Sequence, residues 1–130
     1  MGHPAVRALW NWGPAVIWMA ATFAVSHQSR VEIPFGAPDY IGHGVSYAVL
    51  GGLLMRALAG GTLRGMRTGL ILPAVLIAAV YGVSDEFHQS FIPGRMASVS
   101  DIVADTIGAV AGAGFVAVVG ALVRARTRPT

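Results

Sequence analysis

The chain alternates between long apolar runs and short polar connections. Four apolar runs can be drawn, at about residues 8–25, 40–59, 69–83 and 102–123. A helix needs about 20 residues to cross roughly 30 Å of hydrocarbon, and the first, second and fourth runs meet or nearly meet that length. The pattern predicts an all-α membrane protein in which four transmembrane helices form one domain over residues 1–130.

The third apolar run is too short to cross a bilayer by itself. Its 15 residues, 69–83, span only about 22 Å at the helical rise of about 1.5 Å per residue. We therefore predict that the third helix continues to residue 91 and carries Asp85, Glu86 and His88 into the outer layer of the membrane. Ionisable groups in that layer are costly, so they mark a functional site by default.

The positions of the arginines predict how the chain is oriented across the membrane. Seven of the nine fall on one side of four crossings, with no acidic residue among them: Arg7, Arg56, Arg64, Arg67, Arg124, Arg126 and Arg128. The other side carries Arg30, Glu32 and Asp39 in one connection and the polar segment 81–105 in the other. The positive-inside rule then places both termini in the cytoplasm and the polar segment outside.

The composition agrees with this class of protein. Hydrophobic residues make up 55% of the chain and charged residues only 12%, against about a quarter charged in soluble domains. The net positive charge comes from arginines in the short connections between apolar runs, where it reflects membrane topology, and we predict no nucleic-acid partner. The chain has no cysteine, which excludes disulfides, thiolate metal sites and a cysteine nucleophile. The first apolar run exceeds a signal-peptide core, so we expect an uncleaved transmembrane helix.

Small residues predict close helix crossings. The fourth run contains Gly108, Gly112 and Gly114, and the second contains Gly44, Ala48, Gly51 and Gly52. Such residues let helix backbones approach each other in lipid. They suit either packing within one chain or a dimer seam, and the sequence leaves the oligomeric state open.

The segment Tyr81–Asp105 gathers most of the chain's chemistry, including four of its six carboxylates. Asp85 and His88 are three residues apart and share a helix face, while Glu86 lies beside Gln89. A Pro-Gly turn follows and returns Arg95 toward these carboxylates. Buried carboxylates need a cation or a proton, and Arg95 is the expected cation.

Polar residues on the other helices point to the same layer. Asp39, His43 and Tyr47 recur every four residues along the second helix. Ser98, Ser100 or Asp101 can cap the fourth helix, whereas Asp105 lies a full turn deeper. The sequence thus predicts one ligand-binding site formed by Asp39, His43, Tyr47, Asp85, Glu86, His88, Gln89, Arg95, Ser98, Asp101 and Asp105. Its catalytic candidates are Asp85, Glu86 and His88.

Plainer interpretations stay open. The charged residues can form a structural salt-bridge lattice that closes the bundle, and Asp39 and Asp101 can be ordinary helix caps. Histidines and carboxylates are acceptable zinc ligands, but no H-E-x-x-H or comparable spacing is present, so neither a metal nor another cofactor is predicted. Hydrolase chemistry can use a histidine–carboxylate pair as general base, with Arg95 steadying an anion. No serine lies in a recognisable nucleophile motif.

Two motifs resemble the VanZ-like family of small bacterial membrane proteins. They are D-Y-I-G-H-G-V-S-Y from Asp39, and D-E-F-H-Q-S-F-I-P-G-R-x-x-S-x-x-D-x-x-x-D-x-x-G from Asp85. The S-H-Q-S stretch at Ser26 is similar to the family's serine-rich end of the first helix. The family usually has D-K-x-x-H at the start of the second helix, whereas no lysine follows Asp39 here. Asp105 stands where an asparagine is common.

The resemblance implies a cell-envelope protein, since the family is named for a determinant of low-level teicoplanin resistance. Our leading hypothesis is a multi-pass protein of the bacterial cytoplasmic membrane whose outward polar pocket engages a lipid head group, a lipid-linked glycan or a lipoglycopeptide. The alternatives are a membrane-embedded hydrolase or transferase acting on a lipid-linked substrate, and a structural or partner-binding membrane protein.

Overall fold

The computed structural model describes residues 3–29 and 38–127. Within those ranges the chain forms helices and no strand, which confirms the all-α prediction: α1 Pro4–Ser26, α2 Asp39–Leu58, α3 Ile71–Gln89 and α4 Val99–Arg126. Two 3-10 turns, Leu63–Gly65 and Thr68–Leu70, connect α2 to α3. Arg30, Glu32 and Arg128, which the orientation argument uses, lie outside the described residues.

The helix ends follow from local chemistry. α1 begins four residues before its apolar run, because the His3 side chain accepts a hydrogen bond from the Ala5 backbone N–H and Pro4 occupies the first turn, where its missing N–H costs nothing. α3 continues through the acidic residues to Gln89. Gly94 then adopts a φ of +83°, a conformation that favours glycine, and the chain reverses into α4 with Ser98 at its N-cap.

Three helices are long and apolar enough to cross a membrane by length and composition: Asp39–Leu58, Thr68–Gln89 and Val99–Arg126. α1 has sufficient length, but Trp10, Asn11 and Trp12 in its first half lower its hydropathy. The protein is therefore a multi-pass membrane protein. The fourth crossing and the cytoplasmic placement of both termini remain predictions.

α2 buries the large side chains of Leu50, Leu54 and Met55, whereas α3 and α4 pack small residues inside and turn large apolar ones outward. Ala74, Ala78, Ala109 and Ala113 are fully buried, whereas large side chains along the same helices are exposed, among them Leu72, Val80, Phe87, Val110, Phe115 and Val118. A soluble domain buries its large apolar residues. The reverse arrangement suits a bundle whose surroundings are lipid and whose helices meet through small residues.

α2 packs more extensively against α4 than against any other helix. A Cβ atom on Gly108 would overlap the Gly44 carbonyl oxygen, and one on Gly112 would overlap the Ala48 carbonyl oxygen. A Cβ on Gly51 would likewise overlap the Ala109 carbonyl. The small residues predicted to form close crossings thus join α2 and α4 within one chain.

Candidate functional site

Buried polar residues gather at one end of the bundle, which we call the polar end. There α1 and α3 finish and α2 and α4 begin. Six polar or charged residues are buried at this end: Ser26, Asp85, Glu86, Gln89, Asp101 and Asp105. Each of α1, α3 and α4 contributes at least one of them, and α2 adds the mostly buried His43, whose side chain is 10% exposed.

Asp85 is held by groups from two helices. The Ser26 hydroxyl donates to Asp85 Oδ2 at 2.6 Å, and Gln89 Nε2 donates to the same oxygen at 3.2 Å. Gln89 Nε2 also donates to Ser26 Oγ at 3.0 Å. The three side chains form a closed triangle that ties the end of α1 to the end of α3. Asp85 therefore orders the bundle as well as contributing charge.

A second group joins α2 to α3 and α4. His43 Nδ1 lies 3.0 Å from Asp105 Oδ1 and 4.0 Å from Glu86 Oε1. The other oxygen of Glu86, Oε2, accepts the Ser98 backbone N–H at 2.7 Å, at the start of α4. The histidine–carboxylate pair of this site is His43 with Asp105. It is not the pair expected on α3, since His88 Nε2 meets His27 Nδ1 at 3.1 Å.

Gly82 makes room for Asp105. A Cβ atom at that position would stand 2.9 Å from Asp105 Oδ2 and 3.3 Å from the Tyr47 ring. The Tyr47 hydroxyl and Asp105 Oδ2 are both buried without a hydrogen-bond partner among the described residues. The polar stripe of α2 therefore runs from the half-exposed Asp39 to a completely buried Tyr47 that borders the carboxylate of Asp105.

Arg95 occupies a different place from the one expected. It donates to Gln89 Oε1 at 2.8 Å, and its Nη2 lies 3.7 Å from Asp39 Oδ2. Among the described residues this is the one carboxylate within 4.0 Å of Arg95. The turn after α3 therefore brings the guanidinium to Asp39 at the start of α2 and not to Asp85 or Glu86.

Three carboxylates keep an oxygen without a partner. Asp85 Oδ1, Glu86 Oε1 and Asp105 Oδ2 are buried and make no hydrogen bond to the described part of the chain. Buried polar atoms are normally satisfied, and an exception calls for an explanation. The polar end holds five carboxylates, Asp39 included, against Arg95 and the titratable His43, and so has an excess of acidic groups.

A cavity of about 230 Å³ opens beside these groups, between α1 and α2. Most of its surface is apolar: Trp18, Ala21 and Val25 line it from α1, and Asp39, His43 and Arg95 supply a smaller polar wall. Trp18 is fixed in place because its indole N–H donates to the Ser46 backbone oxygen at 3.0 Å. The remaining lining residues are Thr22, Ser26, Gly42, Ser46 and Tyr47.

The structure does not unite all eleven predicted site residues. Asp39, His43, Tyr47 and Arg95 line the cavity, while the buried carboxylates of α3 and α4 and Gln89 lie among the neighbouring polar groups. His88 belongs to a separate, more exposed pair with His27, and Ser98 contributes its backbone N–H. Asp39 does not cap α2, because Pro38 is the N-cap residue, and Asp101 lies in the first turn of α4, after the Ser98 cap.

Sequence reasoning missed Trp18, Thr22 and Ser46 as cavity residues. Thr22 Oγ1 lies 3.4 Å from Ser46 Oγ, and this polar contact sits well inside two apolar runs. An isolated threonine or serine there gives no periodic signal. Ser26 had a signal, in the S-H-Q-S stretch, but its role as the donor to Asp85 depends on how α1 meets α3.

Comparison with known families agrees with the motifs. A family model described as VanZ/LLP1 matches residues 11–120, a range that contains every site residue named above. No curated protein and no solved structure matches the chain. The match confirms the resemblance drawn from the two motifs.

Proposed function

The chain belongs to the VanZ/LLP1 family, and we propose that it is a cell-envelope membrane protein whose polar pocket binds the head group of an amphiphile. The ligand class is a membrane lipid, a lipid-linked envelope component or a lipoglycopeptide, and the pocket faces the outside of the bacterial cytoplasmic membrane. The observation that carries this proposal is the cavity between α1 and α2, which is mostly apolar and has charged and titratable groups on one wall.

A mostly apolar cavity with a polar wall suits a molecule that is part hydrocarbon and part polar. A volume of about 230 Å³ is smaller than the roughly 300–1,000 Å³ of pockets that enclose a drug-sized ligand, which suits a small head group and not a whole lipid. Trp18 and Val25 offer apolar contact for the first part of a hydrocarbon chain. The rest of that chain would extend into the surrounding bilayer.

The charges at the polar wall suit a head group that carries both signs. Arg95 presents a guanidinium, the side chain that best matches phosphate geometry, and Asp39 presents a carboxylate 3.7 Å away. A zwitterionic head group can place its phosphate on Arg95 and its ammonium on Asp39. A purely anionic head group is less suitable, because five carboxylates lie at this end of the bundle.

Native mass spectrometry of the purified protein tests this proposal. We expect wild type to retain a lipid and Arg95→Gln to lose it, because a charge-assisted hydrogen bond contributes about 1.5–3 kcal/mol, roughly 10- to 150-fold in affinity. Arg67→Gln is the matched control, since Arg67 is an exposed arginine at the opposite end of the bundle.

Two outcomes would contradict the head-group proposal. One is equal lipid retention in wild type and Arg95→Gln. The other is no lipid in any variant, together with a lower thermal midpoint for Arg95→Gln, which would favour a structural salt-bridge lattice. The link to glycopeptide resistance is tested by measuring the teicoplanin susceptibility of cells that express each variant. If the link holds, wild type protects the cells and Arg95→Gln does not.

The pair of His43 and Asp105 favours a second candidate, a hydrolase or transferase acting on the same amphiphile. A carboxylate on Nδ1 orients the imidazole so that Nε2 can accept a proton. Phosphate release from a lipid-linked diphosphate in detergent measures this activity. Turnover by wild type and none by His43→Gln would support an enzyme, and equal rates for the two proteins would exclude His43 as the base.

A further inference from the structure

We propose that the polar end also binds a divalent transition-metal ion, held by Asp39 and His43 of α2 and Asp101 of α4. One donor atom from each of these three residues lies within 4.8 Å of the other two. An imidazole nitrogen with two carboxylate oxygens is a donor set that Zn²⁺ accepts. This inference does not depend on whether the cavity binds a lipid.

The carboxylate of Asp101 is the observation that points to an ion. Asp101 is only 7% exposed, and its carboxylate, which keeps slight contact with the surroundings, makes no hydrogen bond to any residue in the described part of the chain. An isolated buried carboxylate is costly unless it is paired or coordinates a metal. Since its donor atom faces those of Asp39 and His43, a cation between the three residues would supply the missing partner.

His43 is already oriented as metal-binding histidines are. Its Nδ1 lies 3.0 Å from Asp105 Oδ1, so a neutral His43 that donates from Nδ1 has a free lone pair on Nε2. Histidine ligands usually donate their second ring N–H to a carboxylate, which fixes the tautomer and makes the ligand nitrogen more basic. Asp105 therefore acts as the positioning residue for the proposed ligand.

The distances allow the ligands to close on an ion. Ligands about 2.1 Å from a tetrahedral ion are roughly 3.4 Å apart, so donors within 4.8 Å of one another need to approach by at most about 1.4 Å. Asp39 can supply this movement, because half of its side chain is exposed. Three protein ligands leave a fourth position open, as in metal sites that exchange a water or bind a substrate group.

This site has no short sequence signature. Asp39 and His43 are four residues apart on α2, and the third donor comes from α4, 58 residues after His43. Linear spacing rules such as H-E-x-x-H detect ligands on a single helix. That is why the sequence alone predicted no metal here.

The test measures metal uptake by the full-length protein in detergent after treatment with a chelator. ZnCl₂ is added, with MnCl₂ in a parallel series, and bound metal is counted by native mass spectrometry while the thermal midpoint is followed. We expect one Zn²⁺ per chain and a higher midpoint in wild type. Asp39→Asn and Asp101→Asn should each weaken uptake by at least tenfold, since even an outer partner of a ligand is worth about 10- to 100-fold.

Two further variants separate this site from its neighbours. His88→Gln is the matched histidine control and should keep full uptake, because His88 pairs with His27 and not with the proposed ligands. Arg95→Gln removes a competing cation 3.7 Å from Asp39 Oδ2 and should bind Zn²⁺ more tightly, although the head-group proposal requires the same variant to lose its lipid. The two proposals can therefore fail separately.

Three results would overturn the metal proposal. These are no uptake by wild type, uptake that is unchanged in both aspartate variants, and uptake that is lost in His88→Gln but kept in Asp101→Asn. If Asp101→Asn fails to fold, Asp39→Asn decides the matter, because its half-exposed side chain makes that substitution compatible with folding. Size-exclusion profiles recorded without metal establish which variants are folded.

Discussion

Substituting Gly108 by alanine tests whether the contact between α2 and α4 sets the geometry of the site. A Cβ on Gly108 would overlap the Gly44 carbonyl oxygen and stand 3.1 Å from the Ala48 backbone nitrogen. Carbon–oxygen contacts between packed helices begin at about 3.3 Å, so the two helices would have to separate by roughly 1 Å. The obstructing atoms are backbone atoms, which cannot rotate away.

The consequence reaches the functional groups, because Gly44 adjoins His43. A separation of about 1 Å would break the 3.0 Å contact between His43 Nδ1 and Asp105 Oδ1, since hydrogen bonds are lost beyond about 3.5 Å. Two effects destabilise the variant: overpacking by about 1–3 kcal/mol and the loss of the buried hydrogen bond by about 1–3 kcal/mol. The higher helix propensity of alanine stabilises it by about 1 kcal/mol. We expect the free energy of unfolding to fall by about 1–5 kcal/mol and the thermal midpoint by on the order of 10 °C.

Gly114→Ala is the matched control on the same helix. A Cβ there meets nothing within 4 Å, so alanine should leave stability unchanged or raise it by up to about 1 kcal/mol. Thermal unfolding in detergent, followed by circular dichroism, compares the two variants. Opposite signs are expected at two glycines six residues apart. A Gly108→Ala protein as stable as wild type, or the same change in both variants, would refute the argument that this crossing is closed to any side chain.

Two further predictions concern the ends of α1 and α3. Ser26→Ala removes the donor 2.6 Å from Asp85 Oδ2 and should lower the free energy of unfolding by about 1–3 kcal/mol. The control Ser90→Ala, at an exposed serine, should stay within about 0.5 kcal/mol of wild type. Equal thermal midpoints for the two variants would contradict this prediction. His88→Ala loses an exposed contact with His27 and should cost less than about 1 kcal/mol while retaining lipid in native mass spectrometry. A destabilisation as large as that of Ser26→Ala would show that the histidine pair supports the fold.

The sequence predicts what depends on spacing along one helix. The four-residue recurrence of Asp39, His43 and Tyr47 predicts one stripe on α2. The short third apolar run predicts a helix through Asp85 and Glu86 to residue 91, and α3 ends at Gln89. These conclusions need only the rise of a helix and the thickness of a bilayer. They require no knowledge of which helices touch.

What the sequence could not predict depends on the register between helices. His43 meets Asp105 because Gly44 and Gly108 bring two backbones into contact at one level, and no linear pattern specifies that level. Arg95 shows the same limit. A Pro-Gly turn predicts that the chain reverses, but the direction in which the guanidinium then points is set by Gln89 and Asp39. The cavity is the extreme case, since Trp18 and Ser46 acquire a role only when α1 lies against α2.

The polar end is poorly explained as a lattice that exists to stabilise the bundle. A stabilising lattice pairs its charges, because an uncompensated buried charge costs more than its partners return. Here Asp85, Glu86 and Asp105 each keep a buried oxygen without a partner in the described chain, and Arg95 lies against the half-exposed Asp39 instead of against them. The contacts of the described residues therefore leave these three oxygens to be satisfied by a proton, water or a ligand. A lattice built only for stability would pair these groups, and for that reason the unsatisfied carboxylates favour a binding site over a structural one.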